Sequence, residues 1–233
     1  HSVDDLKNIY TLGFRGEALA SISSISTLKI HTKTSEGKPI LAFTQGDRII
    51  TENGQARNQG TTVIVENVFD QIPARRKFLK SEITEYKNIL NTFIKIVLAH
   101  HKIEFEFFNN SKVVYSLPQS ETFEKRILQI YPNLENKLLP LMFDDKSLRI
   151  SGFIGHPELN RRDSSLQFIF VNNRGVMDPI ITKAVKSGFG TNLMHNQYPV
   201  YFMRINIDED KIDVNLQPRK NEIRFDNPKD LFR

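Results

Sequence analysis

The stretch SEITEYKNILNTFIKIVLAHHKIEFEFFNNSKVVY, residues 81–115, changes its hydrophobic period once, and that change decides the fold class. Between Ser81 and His100, the residues Ile83, Tyr86, Leu90, Phe93 and Val97 recur at three- and four-residue steps. That spacing lays one apolar stripe along a helix. From Ile103 to Phe107 apolar and acidic residues alternate strictly, as a half-buried strand requires. Asn109-Asn110 then turns the chain toward Lys112–Tyr115 and completes a hairpin.

Ahead of this helix lie three short runs of strand character, Thr27–Thr32, Ile40–Thr44 and Thr61–Glu66. Gly37, Gly46 and Asn53-Gly54 separate them, and the Asn-Gly pair predicts a tight hairpin. The small and apolar residues from Ala18 to Ile25 predict a helix packed closely on a sheet. Val3–Tyr10 predicts a short helix capped by Ser2, with Asp4 and Asp5 favourable in its first turn. Behind the hairpin, Leu117-Pro118-Gln119-Ser120 is a polar break and the best boundary between domains. Beyond it the pattern predicts helices at Thr122–Tyr131 and Pro179–Gly188 and strands at Leu148–Ile154, Leu166–Val171, Val200–Ile207 and Lys211–Leu216. Asp208-Glu209-Asp210 is the expected hairpin loop between the last two strands. Strands, a long helix and strands again make an α+β fold in two domains, residues 1–119 and 120–233.

Composition narrows the classes of function. The 233 residues are 39% hydrophobic and 25% charged, the balance of an ordinary globular chain. No apolar run approaches the roughly 18 residues that would span a bilayer, and no secretory signal opens the chain. With no cysteine, disulfides, thiolate metal sites and cysteine nucleophiles are excluded. The net charge of +5 favours polyanionic partners only modestly. None of the six histidines has the spacing of a metal-ligand cluster. The chain opens on His1 without an initiator methionine, so a piece of a longer protein is expected.

Four local patterns could carry chemistry, and each has an ordinary structural alternative. Gly13-Phe14-Arg15-Gly16-Glu17 precedes a small-residue helix. It is either a turn with a helix behind it or part of a phosphate site, where unpaired N–H groups and the helix dipole face an anion. Gly60-Thr61-Thr62 introduces Val63-Ile64-Val65, which β propensity alone explains. Residues 73–80, PARRKFLK, carry four basic side chains, suited to DNA phosphates or to a solvated loop in equal measure. Lys220 follows Pro218 at a basic tip, where a lysine serves a phosphate as a point charge or stays exposed.

Taken in order, these patterns resemble one family. The runs TLGFRGEALASISSIS (11–26), GTTVIVENVF (60–69), PARRKFL (73–79), FIFVNNRGV (168–176) and DVNLQPRKNEIRF (213–225) are similar to the N-terminal region of the MutL family of DNA mismatch repair proteins. The resemblance extends from Asp4 to Phe225. It implies membership of the GHKL ATPases, alongside gyrase, certain chaperones and histidine kinases. The implied fold is part of a GHKL-type α/β sandwich, followed by a second α+β domain with a left-handed βαβ crossover.

On the same resemblance, Phe14, Arg15, Gly16, Glu17 and Ala18 belong to an ATP lid holding the triphosphate. Thr61 matches a position near the adenine-binding aspartate, and Lys220 would reach the γ-phosphate from the second domain. The implied cofactors are ATP and Mg²⁺. The family's catalytic glutamate, Mg²⁺-binding asparagine and DNGxG motif fall ahead of His1, so no catalytic residue is assigned, and these 233 residues alone are expected neither to hydrolyse ATP nor to bind it tightly. The implied action is closure of an ATP-bound homodimer on DNA, linking a MutS-type mismatch sensor to a downstream nuclease or helicase, in the bacterial cytoplasm or a nucleus, away from membranes.

Arg76 and Lys77, with Arg161, Arg162 and Arg174, are the expected phosphate contacts. Two positions depart from the family pattern: Gln217 stands where a histidine is usual, and Pro179 where an arginine is implicated in DNA binding. Arg174, Lys183 and Lys186 could restore the charge. The alternative is a non-catalytic DNA-binding and dimerisation module, with a gyrase-like topoisomerase piece as a third possibility.

Overall fold

A computed structural model describes residues 17–46, 48–145 and 148–207, and the backbone of 212–213 and 224–225. The expected helix at Val3–Tyr10 and the loop Asp208-Glu209-Asp210 lie outside the described residues. The chain forms two compact units that divide between Tyr86 and Lys87.

In the first unit, helix α1 (Glu17–Ser23) leads into strand β1 (Thr27–Lys33), followed by β2 (Ile40–Gln45), β3 (Arg48–Asn53), β4 (Gly60–Glu66) and the short helix α2 (Pro73–Arg76). The strands make one antiparallel sheet in the order β3-β2-β1-β4. Strand β3 is not evident from the sequence, because Ile49 and Ile50 are adjacent and Ile49 stays 70% exposed on an edge strand. The tight hairpin expected at Asn53-Gly54 is not there. The β2–β3 turn lies at Gly46, with Gln45 paired to Arg48, and Asn53 pairs with Ile40. Gly54 serves a close approach instead: its N–H donates to the Pro39 carbonyl at 2.8 Å, and a Cβ would sit 3.0 Å from the Ile40 backbone. Residues 54–59 then carry the chain from one sheet edge to the other. Leu28 is buried at the sheet centre, and the Thr44 hydroxyl bonds to its N–H at 3.0 Å and its carbonyl at 3.4 Å.

Helix α3 (Glu82–Ala99) runs across the division and ends in the second unit. There follow the hairpin β5 (Phe105–Asn109) and β6 (Lys112–Leu117), helix α4 (Phe123–Ile130), strands β7 (Leu138–Asp145), β8 (Leu148–Gly155), β9 (Gln167–Val171) and β10 (Arg174–Val176), helix α5 (Pro179–Phe189) and strand β11 (Tyr201–Ile207). Five strands form a sheet in the order β10-β9-β11-β8-β7. Strands β9 and β11 pair in parallel, so the chain between them crosses over through β10 and α5.

Parallel neighbours in mid-sheet are buried on both faces and read as continuous apolar runs. Successive side chains here go to opposite cores. Phe168, Phe170 and Phe202 pack with Val97 and Leu98 of α3 and Ile127 of α4, while Ile169, Val171, Tyr201, Met203 and Ile205 pack with Ile181 of α5. Phe168 and Phe202 stack with centroids 5.3 Å apart.

Two hairpins close through residue pairs at positive φ, Asn110-Ser111 and Asn172-Asn173. Both angles positive is the requirement of the turn type whose twist matches paired strands. Strand β7 is hidden in the sequence by Pro140, a residue that sheets tolerate at an edge, and β7 is an edge strand. Of the expected strand Lys211–Leu216, the described part is β12 (Ile212–Asp213), which pairs antiparallel with β13 (Arg224–Phe225).

The break at 117–120 falls inside the second unit. The Ser120 N–H donates to the His101 carbonyl at 2.9 Å, and Arg126 of α4 donates to the carbonyls of His101, Ile103 and Leu117. Polar residues at the break conceal these bonds, because backbone carbonyls receive them whatever the side chain.

Candidate nucleotide and nucleic-acid sites

The nucleotide candidates divide by what is described. Phe14, Arg15, Gly16 and Lys220 lie outside the described residues. Glu17 and Ala18 are the first two residues of α1, both exposed, and no residue of that helix is buried. Helix and β1 are consecutive, so the exposed start of α1 is attached to the sheet through its other end.

Thr61 sits on β4 opposite Thr32, and their hydroxyls lie 2.8 Å apart. Beside it Arg57, from the 54–59 crossing, donates to the Thr62 hydroxyl at 3.1 Å, to the Asn58 carbonyl at 3.3 Å and to the His31 carbonyl. The sequence gives no sign of Arg57, which lies between turn residues with no periodic pattern around it. Its effect is local and clear: it ties the loop after β3 to the β1–β4 pair and fixes the Thr61-Thr62 segment. Exposed Glu17, Ala18 and Thr61 are compatible with a bound nucleotide. No three His, Cys, Asp or Glu side chains among the described residues come together as a metal site.

The basic candidates fall into two groups, one in each unit. In the first unit Arg76 ends α2 and Lys77 caps it, with Arg75 just before; Pro73 supplies the fixed φ of a first helical turn. Arg76 forms an ion pair with Asp70 at 2.9 Å, both side chains largely solvated. A solvated pair of that kind is worth roughly 0–1 kcal/mol, so it competes only weakly with a phosphate. Lys77 and Arg75 are exposed and have no ion-pair partner among the described residues.

In the second unit Arg161 and Arg162 are exposed beyond β8. The Arg161 backbone is held by two hydrogen bonds of 2.8 Å with Tyr198, whose ring lies 4.3 Å beneath the Lys186 ammonium. Arg174 opens β10 and is half-buried, next to the turn in which Asn172 brackets the Ile207 backbone with bonds of 2.9 and 3.1 Å. The Pro179 position begins α5, whose cap Asp178 accepts from the Ile180 and Ile181 N–H groups at 2.8 and 2.9 Å. No helix among the described residues is long and apolar enough to cross a membrane.

Residues 127–233 match the family model described as DNA mismatch repair protein, C-terminal domain. Over 231 residues the chain is 37% identical to the DNA mismatch repair protein MutL of Christiangramia forsetii, covering 98% of this chain and 37% of that relative. The chain thus spans little more than a third of the curated relative it matches. Among solved structures, the N-terminal domain of a DNA repair protein superimposes with a TM-score of 0.78 at 25% identity, covering 95% of this chain and 74% of that one. The Aquifex aeolicus MutL ATPase domain complexed with ADP superimposes with a TM-score of 0.66 at 20% identity, over 89% of this chain and 75% of that one, a likeness of fold.

Proposed function

The chain belongs to the MutL family of DNA mismatch repair proteins, and we propose that it forms much of the ATP-gated, DNA-holding region of such a protein. The observation that carries this reading is the alignment along 98% of the chain with a MutL protein, together with a shared fold over 89% of it with an ADP-bound MutL ATPase domain. Residues 1–119 act as part of the nucleotide domain, and residues 120–233 as the second domain that reports on the nucleotide.

The segment Phe14–Ala18 lines the triphosphate, with the exposed start of α1 offering backbone N–H groups to the anion. Thr61 flanks the base, held in place by Thr32 and, through Thr62, by Arg57. Lys220 meets the γ-phosphate, so the presence of that phosphate is felt in the second domain. ATP closes two copies around DNA, and Arg76, Lys77, Arg161, Arg162 and Arg174 supply sequence-independent attraction to the backbone, as a clamp that must not prefer a sequence requires. The closed state passes the signal of a MutS-type mismatch sensor to a downstream nuclease or helicase. Mg²⁺ would neutralise the charge on the phosphates when bound.

The deciding experiment is steady-state ATP hydrolysis by the full-length protein and its Lys220→Ala variant, with thermal melts to show both are folded. A lost charge-assisted contact predicts a fall of roughly tenfold or more in turnover. Equal turnover by the two proteins would remove Lys220 from the site. A full-length protein that neither binds nor turns over ATP, yet still binds DNA, would overturn the ATPase reading in favour of a DNA-binding and dimerisation module.

A further inference from the structure

We propose that His101, Arg126 and Arg204 form a proton-sensitive latch that fastens the C-terminal end of α3 to α4 and β11. A helix end leaves its last carbonyls without partners and carries a partial negative charge. Here both needs are met from another part of the chain. Arg204 of β11 donates through Nη2 to the carbonyls of Leu98 and Ala99, each at 3.2 Å, and lies 3.0 Å from His101 Nδ1. Its guanidinium rests 4.1 Å from the centre of the Phe123 ring. Arg126 of α4, fully buried, reaches the same corner, with its Nη2 bonded to the His101 carbonyl at 2.9 Å and the Ile103 carbonyl at 2.6 Å. No carboxylate pairs with either guanidinium among the described residues.

The Arg204–His101 contact determines the charge of the histidine. A guanidinium has five donors and no acceptor. A bond to Nδ1 therefore requires the lone pair of a neutral imidazole. A proton on Nδ1 removes that acceptor and leaves a third cation beside two sequestered guanidinium groups. The charged groups that face His101 are Arg204 from β11, Arg126 from α4 and Lys102 next to it in the chain, all positive. Burial first, then Arg204, Lys102 and Arg126, hold the imidazole below its ordinary value of 6.5.

A folded-state value below the unfolded one means that unfolding takes up a proton, so the latch contributes fully above pH 6.5 and its contribution is lost as the pH falls below that value. The latch also joins residues on the two sides of the 119/120 boundary expected from the sequence: Leu98, Ala99, His101, Ile103 and Leu117 before it, Arg126 and Arg204 after it. Protonation of His101 would break its contact with Arg204 and set a third cation at this corner, loosening the end of α3 while its carbonyl bonds and core packing remain.

The test compares the full-length protein with His101→Asn, whose amide oxygen replaces Nδ1 as acceptor and does not titrate at these pH values. Thermal midpoints are measured between pH 7.5 and 5.5, and amide exchange, corrected for intrinsic rates, is followed at His100, Ile103 and Ser120. The expected result is a wild-type midpoint that falls roughly 2–4 °C further than that of the variant, with faster exchange at those amides only in the wild type. The remaining histidines are common to both proteins and cancel in the comparison. If His101→Asn fails to fold, an imidazole ¹⁵N titration of the wild type decides: an Nδ1 protonated at pH 7 overturns the latch, and an unprotonated Nδ1 that gains its proton as exchange accelerates supports it. Identical pH dependence in two folded proteins overturns it as well.

Discussion

Replacing Arg126 by methionine keeps the stem of the side chain and removes the guanidinium, so the cost depends on which carbonyls are left without a donor. Three accept from Arg126: His101 at 2.9 Å, Ile103 at 2.6 Å and Leu117 at 3.4 Å. The His101 carbonyl keeps the Ser120 N–H at 2.9 Å. Ile103 is 51% exposed, so water can replace the guanidinium there, whereas Leu117 is 3% exposed and its surroundings admit little water.

One poorly rescued buried acceptor costs about 1–3 kcal/mol. The bonds to a charged donor add to that, and relief from burying a guanidinium, which burial already pulls below its usual pKa, subtracts. The balance is a loss of about 2–3 kcal/mol, or roughly 4–12 °C in Tm for a chain of this size. Circular dichroism melts of the two proteins at one pH and concentration measure it. Arg126→Lys should fall between them, because a single ammonium keeps the charge but cannot reproduce the planar fork. A methionine variant melting within about 1 °C of wild type would refute the reasoning, since it would mean that the desolvation of the guanidinium cancels everything its bonds contribute.

Two further outcomes can be read separately. Gly152, in β8, has φ +143°, and a Cβ there would lie 2.0 Å from the Phe202 carbonyl oxygen of the paired strand, so Gly152→Ala should cost more than about 3 kcal/mol and show as a large fall in Tm or as insoluble protein. For DNA, Lys77→Ala should lower the slope of log affinity against log salt by about 0.9, and Arg76→Ala by less, because Asp70 already neutralises part of its charge; an unchanged slope for Lys77→Ala would remove that residue from the interface.

How much of this was legible in the sequence depends on whether a residue's role is carried by local period or by a distant partner. Helix α3 announces itself by the repeat of its buried stripe, and strands β1, β2, β4, β8, β9 and β11 by short runs of apolar and β-branched residues, continuous in β9 and β11 where both faces are buried. Strand β7 does not, since an edge position lets Pro140 interrupt it, and β3 lacks alternation for the same reason. The Asn53-Gly54 pair misleads: its glycine is set by the neighbouring Pro39–Ile40 backbone, a contact that no window on the sequence contains.

The two arginines near the end of α3 are marked in the sequence by the same period that marks the core. Arg126 shares a helical stripe with Phe123, Ile127 and Ile130, so the period that marks a core residue also marks this cation. Arg204 is in phase with Phe202 on a strand whose two faces are both buried, and the same inference holds. A cation at a core phase must find acceptors, and with no carboxylate at hand Arg204 takes the last carbonyls of α3 and Arg126 the carbonyls of His101, Ile103 and Leu117 beyond it. The nucleotide candidates are the opposite case. Glu17, Ala18 and Thr61 are exposed, occupy no core phase and are indistinguishable by period from other surface residues. What marks them is the order of five short runs along the chain, which is a record of descent, whereas Arg126 and Arg204 are marked by physics alone.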